Sequence, residues 1–218
     1  MKTATFKEWT LTTLDKAFGL RQIWECTLID KWKNQEIEID DFEKKTLLNL
    51  QKSLIRGGRA WNEVELENKF ISPVMMTANI DDEQIGYFLE RHLSGIVGDY
   101  ELSGIVDGMI AIGFREPDIP LFCLHEYKRS IENQGSPDAQ TLAAMLVARE
   151  KNNNQKPIYG VFVVGLVWNF MILNGNEYFI SKTYHPDDEE IFAIFKMLKA
   201  LKQMIKNELM TDDNESGD

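Results

Sequence analysis

Apolar residues along this chain follow two periods, one typical of helices and one typical of strands. Helical spacing with capping residues predicts helices near 6–19, 40–58, 61–76, 136–154 and 190–210. Apolar runs bounded by turn residues predict strands near 101–113, 121–128, 158–165, 166–173 and 178–184, while 24–32 and 86–96 fit more than one state. Because helices and strands are interspersed, we expect an α/β fold with a mixed central β-sheet flanked by helices.

The same pattern divides the chain into a core and two flanking parts. Residues 1–59 are predicted to form a helical amino-terminal extension packed on the core, and residues 60–210 to form the core itself. Residues 211–218 carry four acidic side chains, so we expect them to form a disordered, solvated tail.

Composition narrows the class of protein. With 218 residues, 44% of them hydrophobic, the chain is long enough to bury one sizeable core. Cys26 and Cys123 form neither a disulfide framework nor a zinc-ligand spacing. No run is long and apolar enough to cross a membrane, and the amino terminus lacks a signal-peptide pattern. We therefore expect no membrane association and a cytoplasmic location.

Candidate chemistry lies on two of the predicted strands. Asp107 follows the apolar pair Ile105-Val106, and Glu126-Tyr127-Lys128 follows the apolar run 121–124. Alternate residues of a strand share a face, so Glu126 and Lys128 are expected side by side. Two carboxylates can hold a hard divalent cation such as Mg²⁺, and a lysine beside them can orient or deprotonate a water molecule. These groups suit metal-assisted phosphodiester hydrolysis.

These residues resemble the signature of the PD-(D/E)XK nuclease superfamily: an Asp, a variable spacer, then Glu or Asp, any residue and Lys on the next strand. Asp107 and Glu126-Tyr127-Lys128 match it, although Val106 stands where the signature has proline. The resemblance implies a restriction-endonuclease-like fold. It also implies a Mg²⁺ or Mn²⁺ ion held by Asp107, Glu126 and the backbone carbonyl of Tyr127, with Lys128 acting on the attacking water.

The segment 62–75 extends the resemblance upstream. It looks like the first core helix of the superfamily, most of all in the nuclease region of type I restriction subunits. There a Glu near the helix start precedes an apolar-x-Pro-apolar-apolar stretch. Glu63 matches that position and would be the third acidic residue of the site, with Glu65 and Glu67 as second choices.

The segment 136–146 extends the resemblance downstream. Ser136 suits a helix N-cap and Pro137 suits the first helical position. Members of the superfamily often carry a Gln on the helix after the Glu-x-Lys strand, facing the metal, and Gln140 matches it. Gln is also an ordinary helix residue, so Gln140 has a structural interpretation as well.

The acidic and basic candidates have structural interpretations too. Asp-Gly is a common turn pair, which would explain Asp107 before Gly108. Glu126 and Lys128 fit a solvated strand end with a weak charge pair. Glu63 suits a helix start, where the helix dipole alone favours acidic side chains.

The net charge of −11 argues against strong non-specific binding of nucleic acid, which depends on Lys and Arg neutralising phosphates. Basic residues do cluster before the first core helix, at Lys52, Arg56 and Arg59. The net negative charge is therefore an argument against a nuclease, although charged residues are unevenly distributed along the chain.

Three functional hypotheses follow. The first is a metal-dependent nuclease, in defence or DNA processing, with nucleic acid and by expectation DNA as substrate; a homodimer or a partner subunit is compatible with it. The second is a catalytically silent protein of the same fold that acts as a binding or accessory module. The third is an unrelated α/β domain, in which Asp107, Glu126 and Lys128 do not converge.

Overall fold

The computed structural model describes residues 1–128 and 136–215 of the chain. Contacts between residues divide it into two compact units, Met1–Cys26 with Asp81–Tyr184, and Thr27–Ile80 with His185–Asp218. We call the first the sheet unit and the second the helical unit.

Strands and helices alternate much as the hydrophobic pattern predicts. The strands, in chain order, are β1 Lys2–Thr5, β2 Arg21–Ile23, β3 Ile85–Val97, β4 Tyr100–Ile112, β5 Asp118–Lys128, β6 Ile158–Val164, β7 Val167–Asn174 and β8 Glu177–Ile180. The α-helices are α1 Leu11–Phe18, α2 Thr27–Lys33, α3 Asp41–Gly57, α4 Glu63–Leu66, α5 Ser72–Thr77, α6 Pro137–Asn152 and α7 Glu190–Glu215. Two 3-10 turns span Phe6–Glu8 and Gly58–Ala60, and a π-helical turn, Glu67–Ile71, joins α4 to α5.

The eight strands of the described residues form one mixed sheet. β3, β4 and β5 are an antiparallel meander, and β5 pairs in parallel with β6 after α6 has carried the chain back. β6, β7 and β8 then continue antiparallel, with Gly175 in the left-handed conformation (φ 59°) at the β7–β8 turn. The expected α/β class, with a mixed sheet flanked by helices, is confirmed.

The amino-terminal segment differs from the predicted helical extension over 1–59, because it supplies two strands. β1 pairs in parallel with β4, and β2 pairs in parallel with β8 at the far edge of the sheet. These strands have four and three residues, which is too short for alternation to be visible in the sequence. Residues 1–26 therefore belong to the sheet unit, and residues from 27 onward begin the helical unit.

β1 and β5 share one edge of β4. β1 pairs with Tyr100–Ser103 and β5 pairs with Gly108–Ile112, while β3 occupies the other edge. β1 runs parallel to β4 and β5 runs antiparallel to it. The carboxyl ends of β1 and β5 therefore approach each other along this edge, on either side of residues 104–107.

α6 lies in the core of the sheet unit and is buried all round, with every residue from 139 to 148 inside. A Cβ added at Gly160 of β6 would lie 2.7 Å from the sulfur of Met145, and one at Gly95 of β3 would lie 2.9 Å from Val147. The 3-10 turn Phe6–Glu8 and α1 also pack on α6. A helix that is apolar on all sides is typical of such a position.

The helical unit is built from α2 to α5 and α7. α3 begins at a capping box, in which Asp40 accepts from the Glu43 N–H at 2.8 Å and Glu43 accepts from the Asp40 N–H at 2.9 Å. α7 continues to Glu215, into the predicted tail 211–218, because no Gly or Pro interrupts residues 190–216. Residues 216–218 lie outside the described residues. Within the described parts of the chain, no helix combines the length and apolar character needed to cross a bilayer.

Candidate active site

Asp107 lies inside a strand rather than in a turn. β4 continues beyond it, and the next residue, Gly108, pairs with Leu89 of β3 and with His125 of β5. The turn interpretation of Asp107-Gly108 is therefore wrong. Gly108 instead leaves room for Tyr87, because a Cβ there would lie 2.8 Å from the Tyr87 hydroxyl oxygen and 3.1 Å from the Cβ of His125.

The strand next to Asp107 is strained at the matching position. In the register of the β3–β4 ladder, Glu90 lies opposite Asp107, and its φ of 50° falls in the left-handed region. That conformation costs a non-glycine residue on the order of 1 kcal/mol or more. Backbone strain of this kind clusters at functional sites, so its position opposite Asp107 agrees with a functional role for that residue.

Glu126 and Lys128 are buried at the carboxyl end of β5, with 4% and 9% of their surface exposed. β6 pairs with β5 as far as Lys128, so this strand end lies inside the sheet. The interpretation of the two residues as a solvated strand end is therefore wrong. Taking two charged side chains out of water costs free energy, so burial of this pair lowers the stability of the fold unless other interactions compensate.

Three oxygen atoms surround the ammonium group of Lys128. Its Nζ lies 3.0 Å from Glu126 Oε1, 3.0 Å from the backbone oxygen of Tyr127 and 3.9 Å from Asp107 Oδ2. Asp107 Oδ2 also accepts a hydrogen bond from the Tyr127 N–H at 2.5 Å. Asp107, Glu126 and Lys128 thus converge, together with the carbonyl of Tyr127. We call these four residues the carboxylate cluster.

The oxygens of the carboxylate cluster are a suitable donor set for a hard divalent cation. Two carboxylates and a backbone carbonyl are ligands that Mg²⁺ accepts. In residues 1–128 and 136–215, no group of three or more His, Cys, Asp or Glu side chains could hold a metal ion. Mg²⁺ commonly takes one or two protein carboxylates and completes its coordination with water and substrate phosphates, so the cluster fits this usage.

The ionisation of Glu126 is finely balanced. Burial, and after it the charge of Asp107, raise the pKa of Glu126 to about 7, while Lys128 and Lys7 act in the opposite direction. Two neighbouring carboxylates in a buried site retain a proton unless cations compensate their charge. Such perturbed acids are common in catalytic and metal-binding sites.

Tyr127 anchors the cluster from the opposite face of β5. Its buried hydroxyl hydrogen-bonds to the Tyr87 hydroxyl at 2.8 Å and to Nδ1 of His125 at 2.6 Å. Burial lowers the pKa of His125 to about 3, so this imidazole is neutral at physiological pH. Nothing in the sequence indicates the network, because Tyr87 comes from β3 and passes over Gly108 of β4 to reach it. This network fixes the backbone of Tyr127, whose N–H donates a hydrogen bond to Asp107.

Replacing Tyr127 with Phe is expected to lower the free energy of unfolding by about 1–3 kcal/mol, because His125 and Tyr87 lose a buried hydrogen-bond partner. Urea denaturation monitored by fluorescence measures the change. Tyr178→Phe is the matched control, since that hydroxyl makes a long, 3.5 Å bond to Asp15 and its loss is expected to cost less. Equal losses in the two variants would contradict the anchoring role of Tyr127.

Gln140 lies in the first turn of α6, buried to 3% exposure, on the helix that packs against β5. Ser136 occupies the N-cap position and Pro137 the first helical position, as expected, although the Ser136 hydroxyl bonds to Asp138 rather than to a backbone N–H. A role for Gln140 in the site stays a prediction.

Glu63 is the first residue of α4, in the helical unit. The N-cap before it is Asn62, whose side chain accepts from the Glu65 N–H at 2.8 Å. The Glu65 carboxylate in turn accepts from the Asn62 N–H at 3.1 Å. Glu65 also pairs with Lys69, and Glu67 begins the π-helical turn. The contribution of Glu63, or of its neighbours, to the site stays a prediction.

No family model matches the chain, and the search of curated proteins finds no match. The site is therefore interpreted from its own geometry and chemistry.

Proposed function

We propose that the protein is a metal-dependent nuclease of the PD-(D/E)XK superfamily, with a restriction-endonuclease-like fold and DNA as its substrate. The observation that carries this proposal is the convergence of Asp107 with the buried Glu126 and Lys128 on two neighbouring strands. The order of elements supports it: a helical stretch with Glu63, strands β4 and β5, and then the helix with Gln140 follow each other as the resemblance requires.

Each residue of the cluster has a role in the proposed reaction. Asp107, Glu126 and the carbonyl of Tyr127 hold Mg²⁺ or Mn²⁺. When bound, the ion supplies Lewis acidity and lowers the pKa of a coordinated water. Lys128, as an ammonium, orients the attacking water and stabilises the negative charge that develops on the phosphate oxygens. The buried position of these groups strengthens their electrostatic effect on the phosphate.

Cleavage assays test the proposal directly. The full chain is incubated with supercoiled plasmid DNA, with single-stranded and duplex oligonucleotides and with RNA, each in Mg²⁺, in Mn²⁺ and in EDTA. We expect metal-dependent cleavage of DNA and none in EDTA. No cleavage of any of these substrates with either metal would contradict the nuclease proposal.

Magnesium binding is expected to weaken as the pH falls below 7. Because the pKa of Glu126 is about 7 without metal, a proton competes with the ion below that pH. Affinity then falls about tenfold per pH unit, and it levels off above pH 7. Calorimetry at pH 6, 7 and 8, in buffers of different ionisation enthalpy, measures both the affinity and the proton released. Equal affinity at pH 6 and 8 would exclude Glu126 as a ligand.

A second candidate is a catalytically silent protein of the same fold that serves as a binding or accessory module. The observation that favours it is that the ammonium of Lys128 already lies among the oxygens assigned to the metal. The net charge of −11 points the same way. Thermal unfolding with and without Mg²⁺ separates the two candidates: the silent module gains no stability from the ion and cleaves nothing, whereas the nuclease is stabilised and turns over.

A further inference from the structure

The 3-10 turn Phe6–Glu8 borders the carboxylate cluster. β1 ends at Thr5, opposite Ser103 of β4, and the turn follows directly. Phe6 packs on Gly104 so closely that a Cβ there would lie 2.3 Å from its ring. Gly104 is three residues before Asp107, in the stretch of β4 where the carboxyl ends of β1 and β5 approach each other. The turn therefore lies next to the carboxyl end of β5, which carries Glu126 and Lys128.

The turn is held at both of its ends. Phe6 is buried, and the carboxylate of Glu8 turns back to accept hydrogen bonds from the backbone N–H and the hydroxyl of Thr5, at 2.5 Å and 2.8 Å. Lys7 lies between these two anchored residues and is exposed. Its side chain therefore extends into solvent from a fixed backbone position beside the site.

Lys7 is therefore a cation on the turn that borders the carboxylate cluster, whereas Lys128 is a cation inside it. The two lysines differ in exposure: Lys128 is buried among the oxygens, and Lys7 lies in solvent. A buried lysine acts on the reacting groups, whereas an exposed one is free to meet an incoming anion.

We propose that Lys7 is a substrate-binding residue that contacts a phosphate of the nucleic acid next to the one being cleaved. This inference rests on the proposed nuclease function and adds to it a contact from the amino-terminal segment. It places the substrate backbone along the edge of β4, between the ends of β1 and β5. Lys7 supplies there part of the positive charge that the chain as a whole lacks.

Salt-dependent binding and steady-state cleavage by Lys7→Ala test this contact. The matched control is Lys16→Ala, an exposed lysine on α1 of the same segment. Binding of a labelled duplex oligonucleotide is measured in EDTA from 50 to 200 mM NaCl, and cleavage is measured with Mg²⁺. In Lys7→Ala we expect the slope of log Kd against log salt to fall by about one, the loss of a single phosphate contact. KM is expected to rise several-fold with kcat changed less than twofold, and Lys7→Arg to restore most of the slope.

The outcomes separate this inference from the proposed function. If Lys7→Ala and Lys16→Ala both bind and cleave like the wild type, the contact is wrong and the nuclease proposal stands. A large loss of kcat with an unchanged salt slope would also overturn it, because Lys7 would then act on the chemistry rather than on binding. If the wild type neither binds nor cleaves nucleic acid, the proposed function fails and the Lys7 contact fails with it.

Discussion

Replacing Lys128 with Met is expected to reduce metal-dependent cleavage by at least about 100-fold, the usual loss when a group that orients water or stabilises developing charge is removed. Met keeps most of the length of the side chain but removes the ammonium that lies 3.0 Å from Glu126. Initial rates on plasmid DNA with Mg²⁺ measure the effect. Full activity in this variant would overturn the proposed mechanism.

The same variant is expected to show that Lys128 and the metal share the carboxylates. Without the ammonium, the buried Glu126 loses its nearest cation, so the metal-free protein is expected to unfold at a lower temperature. Mg²⁺ then stabilises Lys128→Met more than it stabilises the wild type, because it replaces the missing charge. Lys128→Arg is the matched control: it keeps the charge and hence the stability, but its planar guanidinium cannot reproduce the geometry of an ammonium.

Replacing Asp107 with Asn is expected to abolish Mg²⁺ binding and cleavage without lowering the stability of the metal-free protein. Asn retains an oxygen that can accept from the Tyr127 N–H, so the hydrogen bond survives. It removes the charge that, after burial, most raises the pKa of Glu126. Like charges on neighbouring strands cost about 0.2–1 kcal/mol. The variant regains that amount, less the contribution of the 3.9 Å ion pair between Asp107 and Lys128. Calorimetry and thermal unfolding measure the two effects.

The sign of the stability change depends on pH in a defined way. The folded-state pKa of Glu126 is raised to about 7, above its ordinary 4.5, so the folded protein binds more protons and loses stability as the pH rises between these values. Asp107→Asn lowers that pKa, and its gain is therefore expected above pH 7 and not below pH 4. Glu101→Gln, on the same strand but outside the cluster, is the matched control and is expected to bind Mg²⁺ like the wild type. A destabilised Asp107→Asn that still binds Mg²⁺ would indicate a structural ion pair.

The sheet core could be predicted from the sequence because its strands are long and their signals are local. β4 and α6 lie within a few residues of the predicted segments, since apolar runs and a Ser-Pro helix start mark them. β1 and β2 could not be predicted, because their stability comes from partners far along the chain and not from their own residues. The predicted helix over 61–76 is helical, but its period does not reveal the π-helical turn at Glu67–Ile71.

The carboxylate cluster was predictable for a related reason. Alternation along one strand places Glu126 beside Lys128, and two strands in sequence bring Asp107 to them. The supporting residues were not predictable. Strand pairings that are set by the whole sheet bring Tyr87 to the cluster and the turn of Lys7 next to it, and neither residue has a distinctive sequence context. Sequence patterns therefore identify groups on adjacent strands but not those that topology brings in from elsewhere.

The two short amino-terminal strands affect the order of folding during synthesis. β1 and β2 pair with residues 98 and 156 positions later in the chain. At about 5–20 residues per second, the ribosome needs roughly 5–20 s to deliver the partner of β1 and longer to deliver that of β2. Distant pairings of this kind also slow folding. The segment that carries Lys7 therefore waits without its strand partner until residues 100–103 are made, shortly before Asp107 and Glu126 follow them.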